Sequence, residues 1–175
     1  MPHFVTLNFT TAEPMGLLVF VIMDTEYLGI GIENGYLKLA WSGPRDNIIQ
    51  TATEKEWRLP KPLQLQSKLL PRAGFLADGE WHVVALRLDH ANLSIVVDQT
   101  LVHNEEAGLN GSSYDDVDIF IGGINEEDSA IAKRVFPHNF KGCIDNIATK
   151  EESYLTDYNE IYSENIKSCQ LFPSA

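Results

Sequence analysis

Residues 81–103 read WHVVALRLDHANLSIVVDQTLVH, and their pattern indicates an all-β fold. In its first part Val84, Leu86 and Leu88 alternate with other residues, which is the two-residue period of a strand with one buried face. Turn residues near positions 91 and 98 separate this run from two further apolar runs, the last of which ends at His103. We therefore predict a three-stranded meander.

Similar short runs, spaced by turn residues, fill the rest of the chain. Gly16 to Met23 is continuously apolar, as expected for a buried strand. Asn34 and Gly35 tolerate the positive φ of a type I′ hairpin turn, so they are expected to join two strands. Further strands are predicted at residues 4–9, 28–32, 37–39, 117–121 and 143–148, with one more between 151 and 164. A short helix is expected only at residues 161–166.

The chain is strongly acidic, with 25 acidic and 13 basic residues and a net charge of −12. Such a charge repels phosphate backbones and excludes general nucleic-acid binding, but it leaves room for divalent cations. No run of 18 apolar residues exists, so no direct membrane insertion is expected. The length suits one domain, spanning residues 1–175. Because the first residues do not form a signal peptide, a secreted domain of this sequence would be excised from a longer protein.

The segment between Ser42 and Asp78 differs from the rest of the chain. It holds four prolines and a basic cluster opposed only by Glu56. The cluster consists of Lys55, Arg58, Lys61, Lys68 and Arg72. One interpretation is an edge hairpin whose lysines and prolines block edge-to-edge pairing. The other is a basic loop that contacts an anionic ligand.

Catalytic patterns are weak. There is no Gly-x-Ser-x-Gly elbow, and the five histidines are scattered without a zinc spacing. Asp116 and Asp118 share a strand face, but the carboxylate set of a glycosidase is incomplete. We therefore expect a protein that is not an enzyme. The two cysteines, taken alone, could form a disulfide or be two unrelated buried thiols.

Six segments, taken together and in order, resemble the landmarks of laminin G-like domains. The most recognisable is Asp-Gly-Glu-Trp-His at residues 78–82, and the others lie at residues 5–20, 26–39, 92–98, 119–124 and 140–147. The chain departs from the family in two places. The strand expected before Val5 is missing or clipped, and the segment between Trp41 and Asp78 is longer than usual.

The resemblance implies an all-β fold, an antiparallel β-sandwich of the jelly-roll type. It implies that Trp81 and His82 are structural, with Trp81 in the core or at its rim. It also implies a disulfide between Cys143 and Cys169, and therefore an oxidising, extracellular compartment. Three acceptor sequons for N-linked glycans agree with secretion, at Asn8, Asn92 and Asn110.

The resemblance also implies a calcium site at one rim of the sandwich, where oxygen ligands from two loops meet. One carboxylate would come from Glu26, where the family usually has aspartate, with Asp24 two residues away. The second falls near Tyr114, Asp115 and Asp116, with Asp115 favoured. The alternative is that these are solvated rim acids that hold no ion.

The function implied is that of an extracellular adhesion or matrix-binding module, in a parent protein that also carries EGF-like modules. Its rim loops would bind a protein receptor or an anionic matrix glycan, with calcium assisting. Two alternatives remain at this level. One is a carrier of a small apolar ligand, like the steroid-binding members of the fold, and the other is a structural spacer.

Overall fold

The structure, a computed structural model, describes residues 3–23, 26–42, 65–109, 117–127, 129–150, 153–154 and 169. Within these residues the chain forms eleven strands, one 3₁₀ turn and one short α-helix. The strands are β1 His3–Thr10, β2 Gly16–Met23, β3 Glu26–Glu33, β4 Tyr36–Trp41, β5 Gln66–Leu69, β6 Trp81–Asp89, β7 Asn92–Val97, β8 Thr100–Glu106, β9 Val117–Ile121, β10 Cys143–Lys150 and β11 Ser153–Tyr154. The 3₁₀ turn is Pro71–Ala73 and the helix, α1, is Ser129–Val135.

The strands form two sheets that pack face to face. One has six strands in the order β11-β10-β1-β6-β7-β8, and the other has five in the order β5-β4-β3-β2-β9. The strand pairs within both sheets are antiparallel. The predicted all-β antiparallel sandwich is therefore confirmed.

The main core lies between the two sheets and follows from the alternation in the sequence. On β6, Val84, Leu86 and Leu88 are at most 3% exposed and face the other sheet. Val83 and Arg87 lie on the outer face and are exposed. The predicted meander over β6, β7 and β8 is confirmed, and so are the strands at β1, β2 and β9.

The five-stranded sheet is also covered on its outer face, by α1. Phe20 of β2 and Phe136, just after α1, are buried there in a second small core together with Ala132. The two glycines of β3 make room for this layer. A Cβ atom on Gly29 would lie 2.9 Å from a carbon of the Phe136 ring, and one on Gly31 would lie 2.8 Å from another.

The helix at Ser129–Val135 corrects the expectation from sequence, which allowed a helix only at residues 161–166. Seven residues are too few for a clear 3.6-residue period, and a helix this short is stabilised by packing rather than by propensity. Lys38 supports its last turn, because its Nζ donates to the carbonyl oxygen of Val135 at 2.9 Å. Residues 161–166 lie outside the described residues.

The hairpin between β3 and β4 turns as predicted. Asn34 and Gly35 have φ angles of 52° and 84°, which is the left-handed pair of a type I′ turn. Beyond β4, the long segment is described only from residue 65. There β5 forms the edge of the five-stranded sheet by pairing with β4, as the edge-strand interpretation expects.

Candidate functional site

A polar groove lies between the edges of the two sheets, and we call it the edge groove. The edge strands β5 and β8 and the 3₁₀ turn form its walls, and its volume is about 390 Å³. Apolar side chains line part of it, and its polar residues are Lys68, Arg72, His103, Asn104 and Glu105.

One ion pair crosses the edge groove and joins the two sheets. Lys68 Nζ donates to Glu105 Oε2 at 3.1 Å, and the Glu105 side chain is 65% exposed. The hydrogen bond from Lys68 and the positive charge behind it hold the pKa of Glu105 below its usual value. A pair this exposed contributes little to stability, so an incoming anion can compete for Lys68.

Arg72 and His103 supply the groove's other titratable groups. Arg72 is exposed and forms no salt bridge with the described residues. His103 is 7% exposed, and its burial, followed by the nearby charge of Lys68, lowers its pKa. The imidazole is therefore neutral near pH 7 and can exchange hydrogen bonds with hydroxyl groups.

The edge groove contains part of the basic cluster predicted from sequence. Lys68 and Arg72 lie on its wall, while Lys55, Arg58 and Lys61 fall outside the described residues. The β8 residues His103, Asn104 and Glu105 were missed from sequence, because nothing local shows that β8 is an edge facing β5. The one available signal was the polar run that ends β8.

The predicted calcium site can be followed only in part. Of its four acids, Glu26 begins β3, whereas Asp24, Asp115 and Asp116 lie outside the described residues. Glu26 pairs with Met23, which pairs in turn with Val117. Met23 and Val117, the described residues nearest to the other acids in the chain, thus lie with Glu26 at the same end of the sheet. No cluster of three or more possible metal ligands occurs among the described residues alone.

The Asp-Gly-Glu-Trp-His motif builds a hydrogen-bonded corner beside the core. His82 is buried and lies between two carboxylates, with Nδ1 2.7 Å from Asp98 Oδ2 and Nε2 2.9 Å from Asp78 Oδ1. The two carboxylates also accept backbone N–H groups, from Val83 and Glu80 respectively. Trp81 does not enter the core. It lies on the outer face at the first residue of β6 and is 48% exposed.

The remaining predicted features are one disulfide and three sites for N-linked glycans. Cys143 and Cys169 are joined by a disulfide, with Cα atoms 5.8 Å apart. Asn8 lies in the middle of β1, and Asn92 begins β7, where its Nδ2 donates to Asn104 Oδ1 at 2.8 Å. Asn110 lies outside the described residues.

An apolar cavity between the sheets measures about 20 Å³ and is lined by residues such as Phe4, Met23 and Leu88. That is room for roughly one water molecule, whereas sites for small organic ligands occupy roughly 300–1,000 Å³. This cavity does not support the carrier alternative. None of the described helices has the length and apolar character needed to cross a membrane.

The family described as Laminin G domain matches residues 9–152. Protein eyes shut of Drosophila melanogaster is 29% identical over 197 residues, covering 95% of this chain and 8% of that protein. The chain thus spans a small part of this curated relative.

Two solved structures show the same fold. Domains LG4-5 of the mouse laminin alpha1 chain superpose with a TM-score of 0.60 at 17% identity, covering 89% of this chain and 38% of that one. The LG1-3 region of the laminin alpha2 chain gives a TM-score of 0.59 at 16% identity, covering 83% and 26%.

Proposed function

The chain belongs to the laminin G domain family, and we propose that it is an extracellular binding module whose edge groove holds an anionic glycan. Family membership supports the coarser part, since laminin G domains are extracellular adhesion and ligand-binding modules. The ligand class is inferred from the groove itself, because one fold hosts many functions.

The convergence of Lys68 and Arg72 in one groove carries the proposal. The groove lining holds two basic side chains against one acid, on a protein whose net charge is −12. A guanidinium binds carboxylate or sulfate groups through two parallel hydrogen bonds, while an ammonium acts as a point charge. A negatively charged sugar fits this pair better than a neutral one.

The remaining polar groups favour a sugar over a simple ion. Asn104 is exposed and its Nδ2 can donate, while its Oδ1 accepts from Asn92 at 2.8 Å. The neutral imidazole of His103, the preceding residue of β8, lines the same groove. Hydroxyl groups of a glycan need such mixed partners. Glu105 lowers the affinity of the groove for an anionic glycan, because the glycan must displace Glu105 from Lys68.

Charge reversal in the edge groove tests the proposal. The double variant Lys68→Glu, Arg72→Glu is expected to weaken binding of a sulfated glycosaminoglycan oligosaccharide about tenfold, which is about 1.4 kcal/mol. Binding would be measured by calorimetry at two salt concentrations, with a steeper salt dependence expected for the unmodified chain.

The matched control is Lys133→Glu, Arg134→Glu, which makes the same change of charge at two exposed residues of α1. It is expected to leave affinity nearly unchanged. Equal losses in both variants would mean that only net charge matters, and an unchanged affinity in the groove variant would remove the groove from the function.

A protein receptor is a second candidate, favoured by an exposed aromatic pair beside the 3₁₀ turn. Tyr36 and Phe75 are 38% and 51% exposed, and their rings meet edge to face with centroids 5.8 Å apart. Tyrosine and arginine are enriched at the energetic centres of protein interfaces, and Arg72 lies three residues before Phe75. Loss of receptor binding in Phe75→Ser with unchanged glycan binding would favour this candidate.

Calcium assistance is a further part of the proposal, supported by the register that joins Glu26, Met23 and Val117 at one rim. After chelation, added millimolar calcium is expected to raise the midpoint of thermal unfolding, because a ligand of the native state stabilises it. Asp115→Asn is expected to abolish the rise, and Asp118→Asn, a change at an exposed residue of β9, to preserve it. No rise in the unmodified chain would exclude calcium, and the edge groove would act alone.

A further inference from the structure

The outer face of the six-stranded sheet carries an apolar strip where β6 begins, which we call the Trp81 strip. Trp81 and Val83 lie on it and are 48% and 45% exposed. The solvated face of an antiparallel sheet is normally polar, so a half-exposed indole next to an exposed valine is unusual there.

The strand register places Asn8 directly beside the Trp81 strip. Asn8 lies opposite Val83, and Thr10 lies opposite Trp81. Side chains directly opposite each other on neighbouring antiparallel strands have Cβ atoms about 5 Å apart, and diagonal neighbours about 7–8 Å. A group attached to the amide of Asn8 would therefore lie over Val83 and within reach of Trp81.

Asn8 is chemically available for such a group. It begins the sequon Asn8-Phe9-Thr10, and its half-buried side chain forms no hydrogen bond with the described residues. In the second described sequon, by contrast, the amide of Asn92 is engaged with Asn104.

We propose that Asn8 carries an N-linked glycan whose first sugar packs on the Trp81 strip and hides it from solvent. In the transfer, Nδ2 of Asn8 forms a bond to C1 of an N-acetylglucosamine carried on a lipid pyrophosphate. The pyrophosphate leaves with the lipid, and the amide gives up one proton to the transferase. The apolar face of the sugar ring then covers indole and valine surface, while its hydroxyl groups remain hydrated.

Two contacts favour transfer before folding. Phe9, the middle residue of the sequon, is fully buried, and the Thr10 hydroxyl donates to the carbonyl oxygen of Gly79 at 2.9 Å. In the folded sheet β1 is also paired on both sides, with β6 and with β10, so a transferase cannot bind the sequon there. On the other flank of Asn8, the exposed Asp145 of β10 is paired with it and can accept a hydrogen bond from the sugar.

The glycan has a consequence for binding. It removes the part of the outer face around β1 and β6 from contact with partners, since an attached oligosaccharide is bulky and hydrated. The edge groove lies on a different side of the sandwich, along β5 and β8, and stays accessible. The inference is independent of which ligand that groove binds.

Site occupancy is the first part of the test. The chain would be secreted from eukaryotic cells, and its peptides analysed by mass spectrometry. A glycopeptide containing residue 8 is expected in the unmodified chain and in Thr10→Ser, which keeps the sequon hydroxyl, but not in Asn8→Gln. An unmodified Asn8 in the secreted, folded chain would overturn the proposal.

The second part of the test measures how far the glycan covers Trp81. The fluorescence that is lost in Trp81→Phe is assigned to Trp81, and its quenching by acrylamide reports the exposure of the indole. An endoglycosidase that leaves the first sugar is expected to leave this quenching unchanged. An amidase that removes the first sugar is expected to raise it about twofold, because the half-exposed indole then loses its cover. Equal quenching after both enzymes would show that the glycan is present but does not pack on the strip.

Discussion

Replacing both Cys143 and Cys169 by alanine is expected to lower the free energy of unfolding by about 3.5 kcal/mol. The disulfide closes a loop with a sequence separation of 26, and in the chain-entropy model the loss of this closure gives the unfolded chain that much extra freedom. The Cα separation of 5.8 Å is in the usual range for a disulfide. The crosslink ties Cys169, near the C-terminus, to the first residue of β10, which pairs with Thr10 of β1.

The measurement is urea unfolding of the double variant beside the unmodified chain. A loss of this size corresponds to a fall in Tm of roughly 7–14 °C for a domain of this length. The unmodified chain after reduction and alkylation serves as the second arm and is expected to match the variant. A loss below about 1 kcal/mol in both arms would show that the C-terminal segment is held by packing and not by the disulfide.

Local patterns in the sequence predicted the strands well, because a strand with one buried face shows alternating apolar and polar residues within its own sequence. The bounds predicted for the strand at Trp81–Asp89 agree with β6, and the face containing Val84 is the buried one. The same parity places Trp81 with Val83 on the outer face. The expectation placed Trp81 in the core or at its rim, and its 48% exposed ring at the first residue of β6 rules out the core.

Features that depend on which strands become neighbours could not be predicted. Lys68 and Glu105 are 37 residues apart and lie on different sheets, so their ion pair depends on both being at an edge. The helix at Ser129–Val135 is similar, since its burial depends on β3 having glycines beneath Phe136. The edge groove and the second small core therefore appear only in the folded topology.

The motif at residues 78–82 shows how a short sequence signal can be structural. Asp78 and Asp98 both accept hydrogen bonds from the ring of His82, so the turn before β6 and the turn after β7 are held by one side chain. Two carboxylate acceptors require that both ring nitrogens be donors, which only the protonated imidazole provides. The arrangement therefore favours a charged His82 inside the sandwich rim.

The pH dependence of stability follows from this preference. Burial lowers the pKa of His82, but the hydrogen bonds and charges of Asp98 and Asp78 outweigh it, so the pKa is raised above its ordinary 6.5. A raised pKa means that the stabilisation is fully present below pH 6.5 and is lost as the pH rises through the folded-state value.

Asp78 affects stability only at low pH. Its hydrogen bond from His82 lowers its pKa from 3.8, so its contribution is lost only as the pH falls through that lowered value.

His103 determines the lowest pH at which the effect of His82 can be measured separately. Its lowered pKa means that the unfolded chain binds a proton more readily than the folded one below pH 6.5, which lowers stability in that range. Measurements above pH 6.5 therefore isolate His82. There the free energy of unfolding of the unmodified chain is expected to decrease steadily as the pH rises.

His82→Gln is expected to lower the free energy of unfolding by about 2–3 kcal/mol near pH 6.5, since two hydrogen bonds from a charged ring are replaced by at most one bond from an uncharged amide. The loss should shrink as the pH rises, because the unmodified histidine then loses its proton. The matched control is His90→Gln, whose 84% exposed side chain hydrogen-bonds to the neighbouring Asp89 and whose removal should change stability by less than about 0.5 kcal/mol. The measurement is urea unfolding of the unmodified chain, His82→Gln and His90→Gln across this pH range. If His82→Gln kept the pH slope of the unmodified chain, the ring could not be the group that titrates between the two carboxylates.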